Sequence, residues 1–170
     1  MKNKDALHNP DDIDVVEAHQ DIKQIKKECL RLLTRRDHSR KEIQDKLAIM
    51  GYDRNQVLAV IDELTRQSWQ DDLRYAESYA RVRSQKGFGP IHIAYELKQL
   101  GITPDTVDKI IRATTDNWMN LLGQVYTKKY PGTVAMDSSE RANHIRFLQQ
   151  RGFSSAMIHD LFKQTTTKST

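Results

Sequence analysis

Cysteine, proline and aromatic residues are all scarce in this sequence of 170 residues. With Cys29 as the only thiol, an internal disulfide and a zinc–thiolate cluster are both excluded. No apolar run reaches the roughly eighteen residues that a membrane-spanning helix needs, and the N-terminus lacks the apolar segment of a signal peptide. We therefore expect a soluble, cytoplasmic protein that makes no membrane contact.

Recognisable catalytic and metal-binding motifs are also missing. The six histidines are scattered without metal-ligand spacing, and there is no GxSxG sequence. The segment 86–90, KGFGP, lacks the spacing of a phosphate-binding loop, and we expect it to form a tight turn between helices. We therefore predict no catalytic residue, no metal site and no cofactor. An enzyme whose site forms only in the folded chain remains an alternative hypothesis, which substrate turnover by the isolated protein would reveal.

Charge is unevenly distributed along the chain. The net charge is +4, but residues 1–21 hold two lysines and six acidic residues, so the remainder carries +8. A basic body favours an acidic partner, either nucleic acid or an acidic protein surface. A basic surface that merely keeps the protein solvated explains the same excess.

A repeat of about fifty residues organises the sequence. Gly51, Gly101 and Gly152 are 50 and 51 residues apart, and each follows a segment with apolar residues at helical spacing. The helices after these glycines align at three apolar positions each: Val57, Val60 and Ile61; Val107, Ile110 and Ile111; Ile158, Leu161 and Phe162. Units this short bury a core only by stacking. The sequence predicts an all-α fold of three tandem three-helix repeats stacked into an elongated curved array.

The repeat, together with the glycines and prolines between its helices, predicts the domain boundaries. We expect a disordered acidic tail at 1–11, helical repeats at 12–68, 69–114 and 115–164, and a polar tail at 165–170. We also expect the single array to be complete as a monomer.

Capping residues predict where several helices begin. Ser39 and Glu42 form a capping box, and Pro90 suits a first helical position because its missing N–H has no partner there. Further N-terminal caps are expected at four positions: Asp53, Thr103, Ser139 and Ser154.

Two predictions concern packing. The buried face of the fourth helix should consist of three residues: Leu73, Ala76 and Ala80. In the third repeat His144 stands where the first two repeats carry isoleucine, and we expect Ala142 and Ile145 to take over the packing there.

Basic residues concentrate on the fourth helix and the turn that follows it. They are Arg74, Arg81, Arg83 and Lys86. Arg74 and Arg81 are seven residues apart and share a helix face, whereas Arg83 lies nearer the apolar face. Simple exposure to solvent, or pairing with neighbouring acids, is the alternative to a binding role. The third helix of each repeat is not consistently basic, which argues against a sequence-specific DNA reader.

Motifs along residues 22–164 resemble the RecX family of bacterial recombination regulators. The first two repeats contribute segments 36–39 (RDHS), 71–72 (DD), 74–76 (RYA), Arg81, Arg83, 86–90 (KGFGP), 96–97 (EL) and 101–102 (GI). The third contributes segments 129–130 (KY), 146–148 (RFL) and 151–153 (RGF). All of them occur in order and in register with the helical repeat.

The resemblance implies a function that periodicity does not show. Proteins of this family bind the RecA recombinase as its filament on DNA, and restrain its ATP hydrolysis, strand exchange and stimulation of repressor self-cleavage in the SOS response. They are thought to occupy the filament groove or to block filament extension. By this resemblance the chain is a regulator and not an enzyme, and Arg74, Arg81, Arg83 and Lys86 are candidate contacts to the filament. The alternative is a basic helical protein that binds DNA on its own.

Overall fold

The structure is a computed structural model that describes residues 10–115, 117–132 and 137–167, with side chains described from residue 20 to residue 164 within those ranges. Its helices are α1 (Pro10–Leu33), α2 (Arg40–Ile49), α3 (Arg54–Arg66), α4 (Asp72–Gln85), α5 (Pro90–Gln99), α6 (Pro104–Thr114), α7 (Trp118–Lys129), α8 (Ser138–Gln150) and α9 (Ser155–Thr167). Throughout the described ranges the regular elements are helices, which confirms the all-α prediction.

Helices α1 and α9 extend into the segments predicted as tails. Helix α1 begins at Pro10 and α9 ends at Thr167. The remainder of the two predicted tails, residues 1–9 and 168–170, lies outside the described residues.

The chain divides into two compact units, which we call unit 1 (Met1–Asp72) and unit 2 (Leu73–Thr170). Unit 1 packs α1, α2 and α3 around a single core of buried apolar side chains: Ile25, Cys29, Leu32, Ile43, Leu47, Val57, Val60, Ile61 and Leu64. Unit 2 contains two core clusters. One joins α4, α5 and α6, and the other joins α7, α8 and α9. Each cluster therefore belongs to three consecutive helices.

The three glycines of the repeat end their helices in the same way. Gly51, Gly101 and Gly152 have φ angles of 86°, 84° and 88°, in the left-handed region that side chains with a Cβ rarely adopt. At each one, the following amide donates to the carbonyl of the residue five positions earlier, as in Ile102 N to Leu97 O at 3.0 Å. The repetition of this Schellman-type ending confirms the repeat.

Most predicted caps are present in the structure. Ser39 and Glu42 form both hydrogen bonds of a capping box, the Asp53 side chain accepts from two amides of α3, and the Ser154 hydroxyl accepts from the amide of Met157 at 3.2 Å. Thr103 occupies the cap position of α6, but its hydroxyl donates to the hydroxyl of Thr106.

The expected cap at Ser139 was wrong. Helix α8 begins two residues earlier than that cap implies, at Ser138, and Asp137 caps it through a capping box with Glu140. Asp137 and Glu140 have the same spacing as Ser39 and Glu42. The sequence therefore contained a capping box at this helix start, where we predicted a single capping residue.

The prediction for the buried face of α4 was wrong at one residue. Ala76 and Ala80 are fully buried, but Leu73 is 48% exposed. Tyr75 takes its place on the buried face, at 5% exposure. Tyr75, and not Leu73, therefore belongs to the core cluster of α4, α5 and α6.

The prediction for α8 was also wrong in part. Ile145 packs against the core cluster of the last three helices, but Ala142 is exposed. The side chain of His144 is itself buried, because its ring stacks on Tyr130 with centroids 3.5 Å apart. Its Nδ1 also lies 3.4 Å from the hydroxyl of Tyr126, so an aromatic cluster accommodates the polar ring.

Candidate partner-binding surface

The four basic residues predicted to contact a partner differ in their surroundings. Arg74, Arg81 and Lys86 are exposed, whereas Arg83 is half-buried. Arg81 forms no ion pair with any described residue of the chain. Three of the four side chains therefore remain on the surface of unit 2, and the fourth has internal contacts.

The guanidinium group of Arg83 joins α4 to α5. Its Nε donates to Glu96 at 2.6 Å and its Nη2 donates to the other oxygen of the same carboxylate. The side chains of Arg83 and Glu96 are only 21% and 22% exposed, so the two-point ion pair is partly protected from water. The guanidinium also lies 3.9 Å from the ring centroid of Phe88. Arg83 therefore holds the turn after α4 against α5.

Helix α5 begins directly against the end of α8. The amide of Gly89 donates to Arg151 O at 2.7 Å, and the amide of Ile91 donates to Gly152 O at 3.1 Å. The N-terminus of one helix thus satisfies the C-terminal carbonyls of another, and the two helix dipoles interact favourably. We call this contact the α5–α8 junction. Because these amides are occupied, they are not available to a phosphate group.

Glycine is required on both sides of the α5–α8 junction. A Cβ added to Gly89 would lie 2.6 Å from Gly152 O and 2.8 Å from Cδ1 of Phe153. A Cβ added to Gly152 would overlap the backbone nitrogen of His92 and lie 2.9 Å from its Cα. The turn in the 86–90 segment therefore also forms the contact between the second and third groups of helices.

Arg151 completes the junction. Its Nη1 donates to Lys86 O at 3.0 Å, and its guanidinium lies 5.0 Å from the ring of Phe88 and 5.4 Å from that of Phe147. In the sequence Arg151 belongs to the 151–153 segment (RGF) of the family resemblance, and it is a polar residue at a position where the first two repeats carry Met50 and Leu100. That departure was the available signal, and the structure shows its physical reason.

Chemically reactive groups are few in the described part of the chain. No three His, Cys, Asp or Glu residues among those described lie close enough to hold a metal ion, and none of the described helices is long and apolar enough to cross a membrane. Burial raises the pKa of the Cys29 thiol to about 11, so the thiol stays protonated at neutral pH. The polar groups exposed on unit 2 include cations, carboxylates, amides and hydroxyls.

Comparison with known proteins places these features in a family. Two family models match, described as the first and second three-helix domains of RecX, over residues 26–64 and 71–110 respectively. A curated protein from Legionella pneumophila (strain Corby), "Regulatory protein RecX", is 39% identical over 136 residues, which are 80% of this chain and 91% of that protein. A protein of the same name from Vibrio campbellii is 37% identical over 129 residues, which are 76% of this chain and 83% of that protein.

Solved structures show the same fold. A crystal structure of regulatory protein RecX matches with a TM-score of 0.78 at 21% identity, over 96% of this chain and 81% of that one. The crystal structure of RecX from Lactobacillus salivarius matches with a TM-score of 0.75 at 21% identity, over 88% of this chain and 99% of that one.

Proposed function

The chain belongs to the RecX family, and we propose that it is a negative regulator of the RecA recombinase. In this proposal it binds the RecA filament on DNA and lowers the ATPase, strand-exchange and coprotease activities of RecA, by lying in the filament groove or by blocking extension. The observation that carries the proposal is the similarity to curated regulatory proteins over most of the chain. We expect the protein to act in the cytoplasm as a monomer, during DNA repair and the SOS response.

The exposed basic residues of α4 and of the turn after it supply the proposed contact. A RecA filament presents acidic protein surface and DNA phosphates, both of which attract exposed cations. Arg74, Arg81 and Lys86 have the necessary exposure. Arg83 has its guanidinium engaged by Glu96 and Phe88, so we propose that it positions α4 against α5 and supports the contact indirectly.

DNA-dependent ATP hydrolysis by the cognate RecA tests the proposed function. The protein is titrated at substoichiometric ratios while DNA is in large excess. A regulator that acts on the filament should lower hydrolysis although free DNA is plentiful. Inhibition that disappears in excess DNA would show that the protein only competes for DNA, and would overturn the proposal.

A charge-reversed variant tests the proposed surface. Arg74→Glu/Arg81→Glu should weaken inhibition of RecA, because two attractive contacts become repulsive. Lys98→Glu/Lys109→Glu is the matched control, since it makes the same change in net charge at exposed residues on α5 and α6 of the same unit. Equal loss in both variants would indicate that only net charge matters. A correctly folded Arg74→Glu/Arg81→Glu variant that inhibits as well as wild type would remove this surface from the proposal.

The excess of +8 outside residues 1–21 favours a second candidate, a protein that binds DNA on its own. Binding to phosphates releases counterions, so log K should fall by about 0.9 per phosphate contact for each log unit of salt on duplex DNA. A steep salt dependence of DNA binding without RecA would support this candidate. Salt-resistant inhibition of RecA would oppose it.

A further inference from the structure

Three grooves in unit 2 adjoin one another through shared lining residues, and we call them together the trough. The first lies between α4 and the end of α6 and shares Arg81 and Thr114 with the second. The second follows the connection from α6 to α7 and shares Asn120 and Gln124 with the third, which lies between α7 and α9. The second and third grooves have volumes of about 540 and 680 Å³ and are open to solvent. Open grooves that adjoin in this way suit an extended chain better than a small molecule that needs an enclosed pocket.

Side-chain amides line the trough along much of its length. They belong to Gln85, Asn117, Asn120, Gln124 and Gln164. Asn120 and Gln124 are four residues apart on one face of α7, and their side-chain amides form no hydrogen bond with other described residues. Each amide carries both donors and an acceptor. An extended peptide backbone presents N–H and C=O groups that need both kinds of partner.

Two cations mark the trough, one in its first two grooves and one in its third. They are Arg81 and Lys128, both exposed and without an ion pair to any described residue. Among the described lining residues the acidic one is Glu77, which lies in the first groove beside Arg81. The charge of the trough therefore favours acidic groups spaced along a bound chain.

Aromatic side chains are absent from the described residues that line the trough. Proteins that bind single-stranded nucleic acid without sequence preference rely on aromatic rings, on which successive bases stack. The trough offers amides where such a site would offer rings. Its chemistry is thus suited to a peptide backbone and less to bases.

We propose that this trough binds an extended acidic peptide segment of a partner protein. Asn120 and Gln124 hold the peptide backbone, and Arg81 and Lys128 receive carboxylates. The inference goes beyond the proposed regulation of RecA because it concerns the chemistry that the trough recognises and not the identity of the partner. The two proposals share Arg81, but they can fail separately, since peptide binding is measured without RecA.

Fluorescence anisotropy with three labelled probes tests the inference on the full chain. The probes are a twelve-residue peptide of alternating Glu and Ser, the same peptide with Gln in place of Glu, and a twelve-nucleotide oligo(dT). We expect the acidic peptide to bind more tightly than either of the others. Failure of the acidic peptide to bind, or equal binding of the neutral peptide, would overturn the proposal. Tighter binding of oligo(dT) would assign the trough to nucleic acid instead.

Variants locate the binding in the trough. Asn120→Ala/Gln124→Ala removes two amides that contact the peptide backbone, so the Kd for the acidic peptide should rise roughly tenfold. Arg81→Glu should raise the Kd for the acidic peptide by at least about tenfold and leave the Kd for the neutral peptide unchanged. Asn143→Ala/Gln150→Ala, which removes exposed amides of α8 outside the trough, is the control and should bind as wild type.

Nuclear magnetic resonance on the wild-type chain provides a test that needs no variant. Addition of the acidic peptide should shift the side-chain amide signals of Asn120 and Gln124 and leave those of Asn143 and Gln150 in place. Peptide-induced shifts confined to residues outside the trough, or wild-type affinity in the Asn120→Ala/Gln124→Ala variant, would refute the assignment.

Discussion

Replacing Gly152 with alanine should destabilise unit 2 much more than replacing Gly51 destabilises unit 1. Both glycines end a helix at nearly the same φ, 88° and 86°. They differ in what surrounds them. A Cβ on Gly51 would meet nothing within 4 Å, whereas a Cβ on Gly152 would overlap the backbone of His92.

The magnitude follows from two separate costs. Placing an alanine in the left-handed region costs about 1 to 2 kcal/mol, and both variants bear it. At Gly152 the overlap must also push α5 away from α8, which breaks the hydrogen bonds from Gly89 N and Ile91 N. Two lost backbone hydrogen bonds at a contact where Gly89 and Gly152 are both buried add roughly 2 to 4 kcal/mol. We therefore expect about 1 to 2 kcal/mol for Gly51→Ala and about 3 to 6 kcal/mol for Gly152→Ala.

Gly89→Ala tests the contact between α5 and α8 without the cost of placing alanine in the left-handed region. Gly89 has a φ of −86°, which alanine adopts without strain. Its Cβ would nevertheless lie 2.6 Å from Gly152 O. The variant should therefore cost roughly 2 to 4 kcal/mol through the junction alone.

Urea unfolding followed by far-UV circular dichroism measures these free energies, and hydrogen exchange assigns the loss to a unit. Protection of the amide of Ile91 should fall in the two junction variants and stay at the wild-type level in Gly51→Ala. Equal costs for Gly51→Ala and Gly152→Ala, or a neutral Gly89→Ala, would refute the close approach of α5 and α8.

Three further predictions concern single side chains. Arg83→Ala should lower the unfolding free energy of unit 2 by roughly 2 kcal/mol, because Glu96 loses a partly protected ion pair; wild-type stability in urea would contradict this. Burial lowers the pKa of His38 below its ordinary 6.5. The stability that the buried neutral imidazole contributes is therefore fully present above pH 6.5. It is lost as the pH falls below 6.5, because the unfolded chain binds the proton more readily than the folded chain does. His38→Gln should accordingly show a weaker loss of stability than wild type between about pH 6.5 and 5, and parallel curves would refute the burial argument. Cys29, with a pKa raised to about 11 in the core of unit 1, should react with a disulfide reagent at about pH 8 only after unfolding; rapid labelling of the native protein would contradict its burial.

Much of the helical architecture could be read from local chemistry. Gly51, Gly101 and Gly152 end helices because only glycine adopts their φ at little cost, and the Ser39–Glu42 capping box needs nothing beyond four consecutive residues. The same local reasoning chose Ser139 over Asp137 because both residue types cap helices well. Local signals therefore locate helices more reliably than they locate the first residue of each helix.

The candidate site was less accessible to sequence reasoning. Clustering placed Arg74, Arg81, Arg83 and Lys86 together, but only packing shows that Arg83 faces Glu96 and Phe88. Asn120 and Gln124 were overlooked because polar residues on a helix surface are ordinary. Their spacing on α7 was visible, and the grooves that they line form only when α4, α6 and α9 pack around that helix.

Interactions within a few residues specify the all-α class, the fifty-residue repeat and the glycine that ends the second helix of each repeat, so these features could be predicted before any packing was known. The contact between the start of α5 and the end of α8 depends on how the helices pack. Gly89 and Gly152 are far apart along the chain, and each satisfies a local rule on its own. Their contact exists because packing brings unpaired amides of one helix to unpaired carbonyls of another, and no local pattern specifies which two helix ends will meet.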